Sequence, residues 1–326
     1  MSHHHITTDD RREIATLLLA GHSHSDIAKY LGKHQTSISR EISTYKRADG
    51  SYRAGYADKK AKERRLIANQ RFRKLGIVQD VTQLVVNKLE LYWSPEQIAG
   101  RMKHEELPFS ISHTAIYQYV YQKRPDLVKY LRFHHNRYRR RYGTKQREAA
   151  RVVESNKRSI DIRPEEVNLR ATVGHWEGDT VVGTERTVRL LTHAERKSGY
   201  LLAQRLDNVT AESTRASTTR QFKRLPSCLR RSITYDNGAE FHGYELLERE
   251  LRALIYFAHP YHSWERGTNE NANGLLRQFY PKKTAFATIT SNHLKHVVKL
   301  INQRPRKRHN YQTPEEVLTH AIRTLI

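Results

Sequence analysis

The order of β-favouring and amphipathic segments between residues 173 and 258 is the feature that most constrains the fold. Three consecutive runs predict strands joined by short turns, and two further strands then alternate with helices. The predicted strands are 173–182, 187–194, 199–206, 231–235 and 254–258, and the predicted helices among them are 210–224 and 242–253. Three hairpin-linked strands followed by such alternation predict a mixed sheet with helices on its faces.

Three carboxylates are predicted to converge from different elements of this sheet. Asp179 lies in the first predicted strand, and Asp236 directly follows the fourth. Glu270 lies in the first turn of a helix that we expect to begin near residues 268–269 and to end before Pro281. Mg²⁺ prefers hard oxygen ligands and usually keeps positions open for water or phosphate oxygens. The three acids are therefore candidates to hold divalent ions for an in-line phosphoryl transfer.

The helix that carries Glu270 is predicted to have a polar face beside an apolar one. At 3.6 residues per turn, Asn273 and Arg277 lie on the same side as Glu270. We predict that Asn273 is a base-contacting amide and that Arg277 supplies a guanidinium on the same surface.

The chain is strongly basic, which indicates a polyanionic partner. Its 326 residues include 58 Lys and Arg against 34 Asp and Glu, for a formal net charge of +24. No apolar run approaches about 18 residues, so membrane association is not expected. The single cysteine, Cys228, excludes an intramolecular disulfide framework and a Cys-based zinc cluster. Because the first residues also lack the apolar region of a secretory signal, we expect a cytoplasmic protein.

Residues 1–46 carry three helical patterns that predict a helix-turn-helix domain. Thr8 and Ser25 are candidate caps of the first two helices. The third pattern buries Ile38 and Ile42 and turns small hydrogen-bonding side chains outward at the start of a recognition helix. The predicted DNA-contacting residues are Gln35, Thr36, Ser37, Ser39 and Arg40. A plain three-helix bundle is the alternative.

Three further segments are predicted. Residues 47–128 form a basic helical region with a second candidate helix-turn-helix, whose helices Ser94 and Ser112 cap. Residues 129–171 form a basic linker, either a segment that tracks DNA or an unstructured tether. Residues 172–326 form an α/β catalytic domain with C-terminal helices. The order of its strands, helices and acids is that of the ribonuclease-H-like fold, so an all-α DNA-binding region is expected to precede a ribonuclease-H-like domain.

Several motifs in this order resemble those of the transposases of the bacterial insertion-sequence IS30 family. In the catalytic region they are GHWEGD, ERKSGY, TYDNGAEF, YFAHPYHSWERGTNENANGLLRQFYPK and INQRPRKRHNYQTPEEVL. The segments HSDIAKYLGKHQTSISREI and WSPEQIAGRM resemble the two DNA-binding elements of that family. The resemblance covers most of the chain.

The resemblance implies a DDE transposase whose catalytic, metal-binding triad is Asp179, Asp236 and Glu270. The 33 residues between the last two acids match the spacing of that family, and Arg277 matches a basic residue assigned to DNA positioning. The implied cofactor is two Mg²⁺ ions, for which Mn²⁺ can substitute, and the implied substrate is double-stranded DNA at the terminal inverted repeats and at the target. Pairing of two ends implies a homo-oligomer, and the family implies association with the bacterial nucleoid. Glu195 and His259 stand where many relatives carry Asp.

Two other functions share part of this evidence. A sequence-specific DNA-binding regulator would need the charge and the helix-turn-helix but no triad. A non-transposing nuclease would differ only in leaving the 3′ end unjoined. A retroviral-type integrase normally brings a His₂Cys₂ zinc module, which a chain with one cysteine cannot build.

Other conspicuous polar and aromatic residues near the three acids are expected to be structural. Trp176 and Trp264 are interpreted as core or loop anchors, and His175 as a structural residue. Glu177 and Glu265 are interpreted as acids outside the triad, although Glu177 lies two residues from Asp179.

Overall fold

The computed structural model describes residues 5–70, 75, 79–132, 157–185, 187–260 and 262–325. The chain divides into two compact units, Met1–Val78 and Gln79–Ile326. Most of the predicted basic linker, residues 133–156, lies outside the described residues. The domain boundaries predicted after residues 46, 128 and 171 stay predictions.

The first unit contains a helix-turn-helix. Its described helices are α1 (Thr8–Leu19), α2 (His24–Tyr30), α3 (Gln35–Tyr45) and α4 (Ala54–Gln70). Ile14, Ile27 and Ile38 are completely buried in its core, and Ile42 is partly buried beside them. The apolar pattern of the sequence therefore does bring α1, α2 and α3 together around one small core.

The first two helices begin one residue or two before the positions predicted for them. Thr7 caps α1 and Ser23 caps α2, in place of the predicted Thr8 and Ser25. Each true cap is followed at the third helical position by an aspartate whose carboxylate returns a hydrogen bond to the cap, and this reciprocal pair decides the start.

A buried charge in α3 was not predicted by its apolar pattern. Glu41 is buried and accepts a hydrogen bond of 2.6 Å from Arg11 Nε of α1. Arg11 also pairs with Asp58 of α4 at 3.2 Å. The guanidinium satisfies both acids, so the recognition helix is fixed to its neighbours by ion pairs as well as by apolar packing.

The second unit begins with helical elements and continues into the sheet. Its described helices are α5 (Gln79–Glu90), α6 (Pro95–His104), α7 (His113–Lys123), α8 (Glu165–Asn168), α9 (Ala211–Phe222), α10 (Tyr244–Leu251), α11 (Gly267–Phe279), α12 (Ser291–Asn302) and α13 (Pro314–Leu325). Ser94 caps α6 through a capping box with Gln97, and Ser112 caps α7, as predicted from the sequence. Helices α6 and α7 pack against each other around Ile98 and Ile116.

The sheet has five strands in the order β3-β2-β1-β4-β5. The strands are β1 (His175–Val182), β2 (Arg189–Glu195), β3 (Leu201–Leu206), β4 (Ser232–Tyr235) and β5 (Leu254–Phe257). The first three are antiparallel neighbours, whereas β4 runs parallel to β1 and β5 parallel to β4. This is the ribonuclease-H-like topology, and it confirms the fold class predicted from the sequence.

Helices cover both faces of the sheet. On one face, Leu275 and Leu276 of α11 and Ile301 of α12 pack against the first three strands. On the other face, Phe222 of α9 and Leu247 of α10 share a core with residues of β1, β4 and β5. The middle of β1, which carries Asp179, and the end of β4 are therefore held between two packed layers.

The helices before the sheet dock onto the helices after it. The Tyr92 ring lies 4.7 Å from the ring of Phe279 at the end of α11. Arg101 of α6 makes two hydrogen bonds of 2.7 Å with Glu316 of α13. The residues around α6 are thus part of the same compact unit as the sheet.

Among the described residues, no helix combines the length and the apolar character required to cross a membrane.

Candidate active site

The register of two parallel strands brings Asp179 and Asp236 side by side. Glu177 of β1 pairs with Thr234 of β4, so the residues two positions further along each chain occupy the next equivalent place. Neighbouring strands lie about 4.8 Å apart, and side chains two residues apart point to the same face. The two aspartates therefore emerge together where β4 ends.

A tight contact beneath these acids requires glycine at position 178. A Cβ atom there would lie 2.1 Å from Cε1 of Tyr235. The Tyr235 ring is buried, and its hydroxyl lies 2.9 Å from Nε2 of His193 on β2. The missing side chain lets the ring pack across β1 directly below the Asp179 and Asp236 positions.

Helix α11 is joined to β1 by a buried carboxylate. Glu177 is completely buried, accepts a hydrogen bond of 2.9 Å from the backbone N of Asn269, and forms an ion pair with Arg196. The N-terminal turn of α11 has free backbone N–H groups that favour an acceptor of negative charge. Glu177 is therefore a structural acid, in line with its interpretation from the sequence.

Asn273 lies inside the site, in contact with the first acid. Its Nδ2 donates a hydrogen bond of 2.9 Å to Oδ2 of Asp179. Its Oδ1 accepts a hydrogen bond of 3.0 Å from the hydroxyl of Thr192, the residue of β2 that pairs with Asp179 in the ladder. The contact with a base predicted for Asn273 stays a prediction, and the structure gives this amide a second role as a support for Asp179.

Arg266 connects the two aspartates. Its Nη2 donates a hydrogen bond of 3.0 Å to Oδ2 of Asp236, and its Nη1 lies 3.7 Å from Oδ1 of Asp179. Nη1 also donates to the backbone O of Gly178 at 3.0 Å. The side chain is only 13% exposed, so this guanidinium is enclosed between the acids.

Burial raises the pKa of Asp179 to about 6. Loss of hydration disfavours the carboxylate most, the Arg266 guanidinium partly offsets this, and the charge of Asp236 raises the pKa further. A cation between two poorly hydrated carboxylates stabilises their charged forms, because it offsets the repulsion between them.

Glu270 lies on the same face of α11 as Asn273, which contacts Asp179. It precedes Asn273 by three residues, a spacing that makes the two neighbours on a helix, and it follows Arg266, the residue directly before α11, by four. The Glu270 residue is exposed. This places Glu270 on the side of α11 from which Asn273 contacts Asp179.

The three predicted acids do not form a tight ligand group on their own. Among the described residues, one group of His, Cys, Asp and Glu has all its ligand atoms within 4.8 Å of one another, and its members are His259, His262 and Glu265. Asp179 and Asp236 are in contact with Arg266 instead. A positive charge of the protein therefore already occupies the space between two of the acids.

Glu240 is a fourth acid near the site that the sequence interpretation missed. Its Oε1 accepts hydrogen bonds from the Thr180 hydroxyl at 2.8 Å and from Arg189 Nη1 at 2.7 Å. It belongs to the motif that contains Asp236, and only the folded chain shows that it faces the residue after Asp179. The pairing with Arg189 marks it as a support for β1 and β2.

The predicted DNA-contacting residues lie in two places. In α3, the residues Gln35, Thr36, Ser37 and Arg40 are exposed, whereas Ser39 is half-buried with its hydroxyl 3.1 Å from Nδ1 of His24. In α11, Arg277 Nη2 donates a hydrogen bond of 2.7 Å to the backbone O of Val182. Their contacts with DNA stay predictions.

The two positions that depart from the resembling family have structural partners. Glu195 is buried and accepts hydrogen bonds of 2.6 Å from the backbone N and the hydroxyl of Ser198. His259 has Nδ1 at 2.8 Å from Glu265 and Nε2 at 3.0 Å from Asp161. Both differences thus lie outside the Asp179 and Asp236 contacts.

The remaining conspicuous residues differ in burial. Trp176 is fully buried and its indole N–H donates to the backbone O of Leu229 at 2.8 Å, whereas Trp264 is 61% exposed. His175 is buried with Nδ1 at 2.8 Å from the Ser232 hydroxyl. His175 therefore links β1 to β4, and Trp176 links β1 to the turn that precedes β4.

Comparison with known proteins decides the family. A helix-turn-helix domain family matches residues 2–43. The transposase InsI for insertion sequence element IS30A of Escherichia coli (strain K12) is 35% identical over 333 residues, which cover 98% of this chain and 84% of the relative. The transposase for insertion sequence element IS4351 of Bacteroides fragilis is 34% identical, over 98% of this chain and 96% of the relative. The chain belongs to the IS30 family of transposases.

Part of this IS30-family transposase is also similar to a solved structure. The crystal structure of the catalytic core domain of BIV integrase is 21% identical, with a TM-score of 0.37, and the match covers 46% of this chain and 97% of that chain. The family membership makes the protein a DNA-binding transposase, which confirms the function predicted from the sequence in its general form.

Proposed function

We propose that this IS30-family transposase binds the terminal inverted repeats of an insertion sequence, nicks the DNA there and joins the freed 3′ ends to target DNA. The proposed catalytic and metal-binding residues are Asp179, Asp236 and Glu270. The observation that supports this most is the β1–β4 register, which sets two aspartates side by side below a helix face that carries a third acid. The action is proposed at the nucleoid in the cytoplasm.

The donor set fits divalent ions with a preference for oxygen ligands. Three carboxylates with an amide beside them suit Mg²⁺, and we propose two ions, for which Mn²⁺ can substitute. When bound, the ions would supply charge to activate the attacking oxygen and to stabilise the leaving one. Asn273 and Thr192 would fix the orientation of Asp179, and Glu177 would keep α11 in place.

End recognition is proposed for α3. The exposed side chains at its N-terminal part can reach base edges in the major groove, while Arg40 can reach a base or a phosphate. Two ends of one element must be joined in a concerted way, so we propose that the active complex is a homo-oligomer. Arg277 is proposed to contact the DNA close to the cut, and the base contact predicted for Asn273 is the alternative to its support of Asp179.

The test replaces each acid by its amide in the full-length protein. Asp179→Asn, Asp236→Asn and Glu270→Gln are each expected to lower nicking and joining by about 10³-fold or more, because an amide does not supply the charge that metal ions need. Binding to a labelled terminal repeat should stay within about twofold of wild type, because α3 is unchanged. Glu245→Gln, at an exposed acid of α10, is the matched control and should keep full activity.

Two outcomes would support other functions. With intact terminal-repeat DNA and a target plasmid, cleavage without any strand-transfer product would identify a non-transposing nuclease. If Asp236→Asn left every measured activity intact, the protein would act as a DNA-binding regulator.

A further inference from the structure

Arg266 stands where a metal-dependent site would place positive charge. Its guanidinium contacts a carboxylate oxygen of Asp236 at 3.0 Å and lies 3.7 Å from one of Asp179, two groups that the proposed function assigns to metal ions. The Asp236 oxygen that accepts this hydrogen bond has less freedom to coordinate an ion. The third contact, to the backbone O of Gly178, fixes the guanidinium beside the middle of β1.

The hydrogen bonds of Arg266 are fewer than a buried, purely structural arginine would be expected to make. Its Nε is buried and has no hydrogen-bond partner among the described residues. A buried donor without a partner costs free energy, and the nearby acids supply the charge that offsets it. The acids benefit in turn, because Asp179 and Asp236 repel each other and a cation between them lowers that repulsion.

We propose that Arg266 is a built-in counter-ion that pairs with Asp179 and Asp236 before metal binds and must move out when divalent ions enter. This rests on the proposed function, in which those acids are metal ligands. Arg266 thus sets the metal affinity of the free protein below the value that the acids alone would give.

The substrate provides a destination for the displaced side chain. A guanidinium is a planar fork that matches phosphate oxygens and cannot lose its charge at neutral pH. Arg266 lies at the start of α11, directly before Gly267 and four residues from Glu270, so its head can turn toward a DNA backbone that approaches this edge. DNA would draw Arg266 away from the acids, and by linkage it would raise the affinity for metal.

A structural role for Arg266 predicts the opposite result. If the side chain only stabilised the first turn of α11, its removal would loosen the acids and weaken metal binding. The direction of the change in affinity therefore separates a counter-ion from a structural support.

The experiment measures Mn²⁺ binding to the full-length protein without DNA, from the electron paramagnetic resonance signal of free Mn²⁺. All variants carry His262→Gln, because His259, His262 and Glu265 form a second possible ligand group. Arg266→Gln is expected to bind Mn²⁺ about tenfold more tightly, because one cation no longer competes with another at about 3–4 Å. Arg249→Gln removes the same charge from an exposed position of α10 and should leave the affinity unchanged.

Two further variants keep the test decisive. Arg266→Lys places a single ammonium that cannot span both acids, so an intermediate gain of about threefold is expected. Arg266→Lys replaces Arg266→Gln in the test if the circular dichroism spectrum shows that Arg266→Gln is not folded. Asp236→Asn should lose Mn²⁺ binding at this site. Unchanged or weaker binding by both Arg266 variants, with loss of binding by Asp236→Asn, would overturn the counter-ion role and leave the proposed function standing.

The DNA arm tests the coupling. Adding terminal-repeat DNA should tighten Mn²⁺ binding to the parent protein about tenfold and should change the affinity of Arg266→Gln much less. Equal tightening in both would contradict the movement of Arg266 toward DNA. If Asp236→Asn binds Mn²⁺ as the parent does, the acids are not the metal site, and both proposals fail.

Discussion

Asp179 is held by neutral and charged donors at the same time. Its Oδ2 accepts from Asn273, and its Oδ1 accepts from the backbone N of Thr180 at 2.8 Å while lying 3.7 Å from Arg266. A carboxylate with this many donors has little rotational freedom. The loss of any one donor should therefore leave the Asp179 carboxylate in the site but change its orientation.

Asn273→Ala is expected to lower strand transfer roughly 10- to 100-fold, the range typical of residues that orient a metal ligand. Binding to terminal-repeat DNA should stay close to wild type, because the amide is committed to Asp179 and Thr192. Single-turnover joining assays and a DNA-binding titration on the same preparation measure both quantities.

Asn271→Ala is the matched control, since Asn271 is an exposed asparagine of the same helix. An equal loss of DNA affinity and of joining by Asn273→Ala would instead favour the base contact predicted from the sequence.

The sequence identified Asp179, Asp236 and Glu270 as candidates but not the partners that surround them. Each acid has a local signature, at a strand, at a strand end before Asn-Gly and in a first helical turn. Arg266 has none, because its contacts are made with residues 30 and 87 positions away in the chain. Contacts of this kind depend on tertiary packing and leave no periodic trace.

At the scale of elements, the predicted strands and helices of the catalytic domain agree with the structure to within two residues at each end. The runs are short, apolar and bounded by turn residues, so their extent is locally encoded. The register of β1 with β4 is not locally encoded, because 49 residues of chain separate Val182, the last residue of β1, from Ser232, the first residue of β4. The sequence therefore predicts that the two aspartates converge, whereas the strand register that sets them side by side comes from the fold.

Helix α13 is linked to α6 by one ion pair whose contribution can be isolated. Arg101 lowers the pKa of Glu316 to about 2 through its hydrogen bonds, and the Thr313 backbone N also donates to this carboxylate. Glu316→Gln keeps a side chain that can close the capping box but removes the charge that Arg101 pairs with. The unfolding free energy is expected to fall by roughly 0.5–1 kcal/mol at pH 7, a small value because the Glu316 side chain is 43% exposed.

The pH dependence of this difference follows from the lowered pKa. The folded protein holds the proton less tightly than the unfolded chain, so the stabilisation is complete above about pH 4.5 and is lost as pH falls toward 2. Denaturant titrations at pH 7 and pH 3.5 should show the difference between the proteins shrink. Glu315→Gln, at the exposed neighbour, should show no such difference. A difference that was as large at pH 3.5 as at pH 7 would exclude the ion pair as its cause.

At the scale of the whole molecule, the sheet contains two buried imidazoles that make the catalytic domain sensitive to acid. Burial lowers the pKa of His175 to about 4, and the positive charge of Arg231 contributes as well. Burial also lowers the pKa of His193 to about 4. Both are neutral in the folded protein and take up a proton more readily once the chain unfolds.

Stability is therefore expected to fall as pH decreases from about 6.5 to 4, because the unfolded state binds protons that the folded state excludes. The loss should total roughly 2–5 kcal/mol across that window for the two histidines together. Denaturation midpoints of the full-length protein at pH 7.0, 6.0 and 5.0 measure it.

Replacing an exposed histidine provides the control for this prediction. His296→Gln should leave the slope of stability against pH unchanged, whereas His175→Asn should flatten it. An equal slope in all three proteins would show that other groups govern the acid sensitivity.

The ion pair of Glu177 with Arg196 has a consequence for how this enzyme tolerates change. Glu177 anchors the backbone N–H of Asn269 from below, and without that anchor the helix bearing the third acid would come loose from its platform. A survey that scored acids only by lost transposition would thus count Glu177 as essential together with the proposed ligands Asp179, Asp236 and Glu270. Glu177 would be needed for the structure of the site and not for its chemistry.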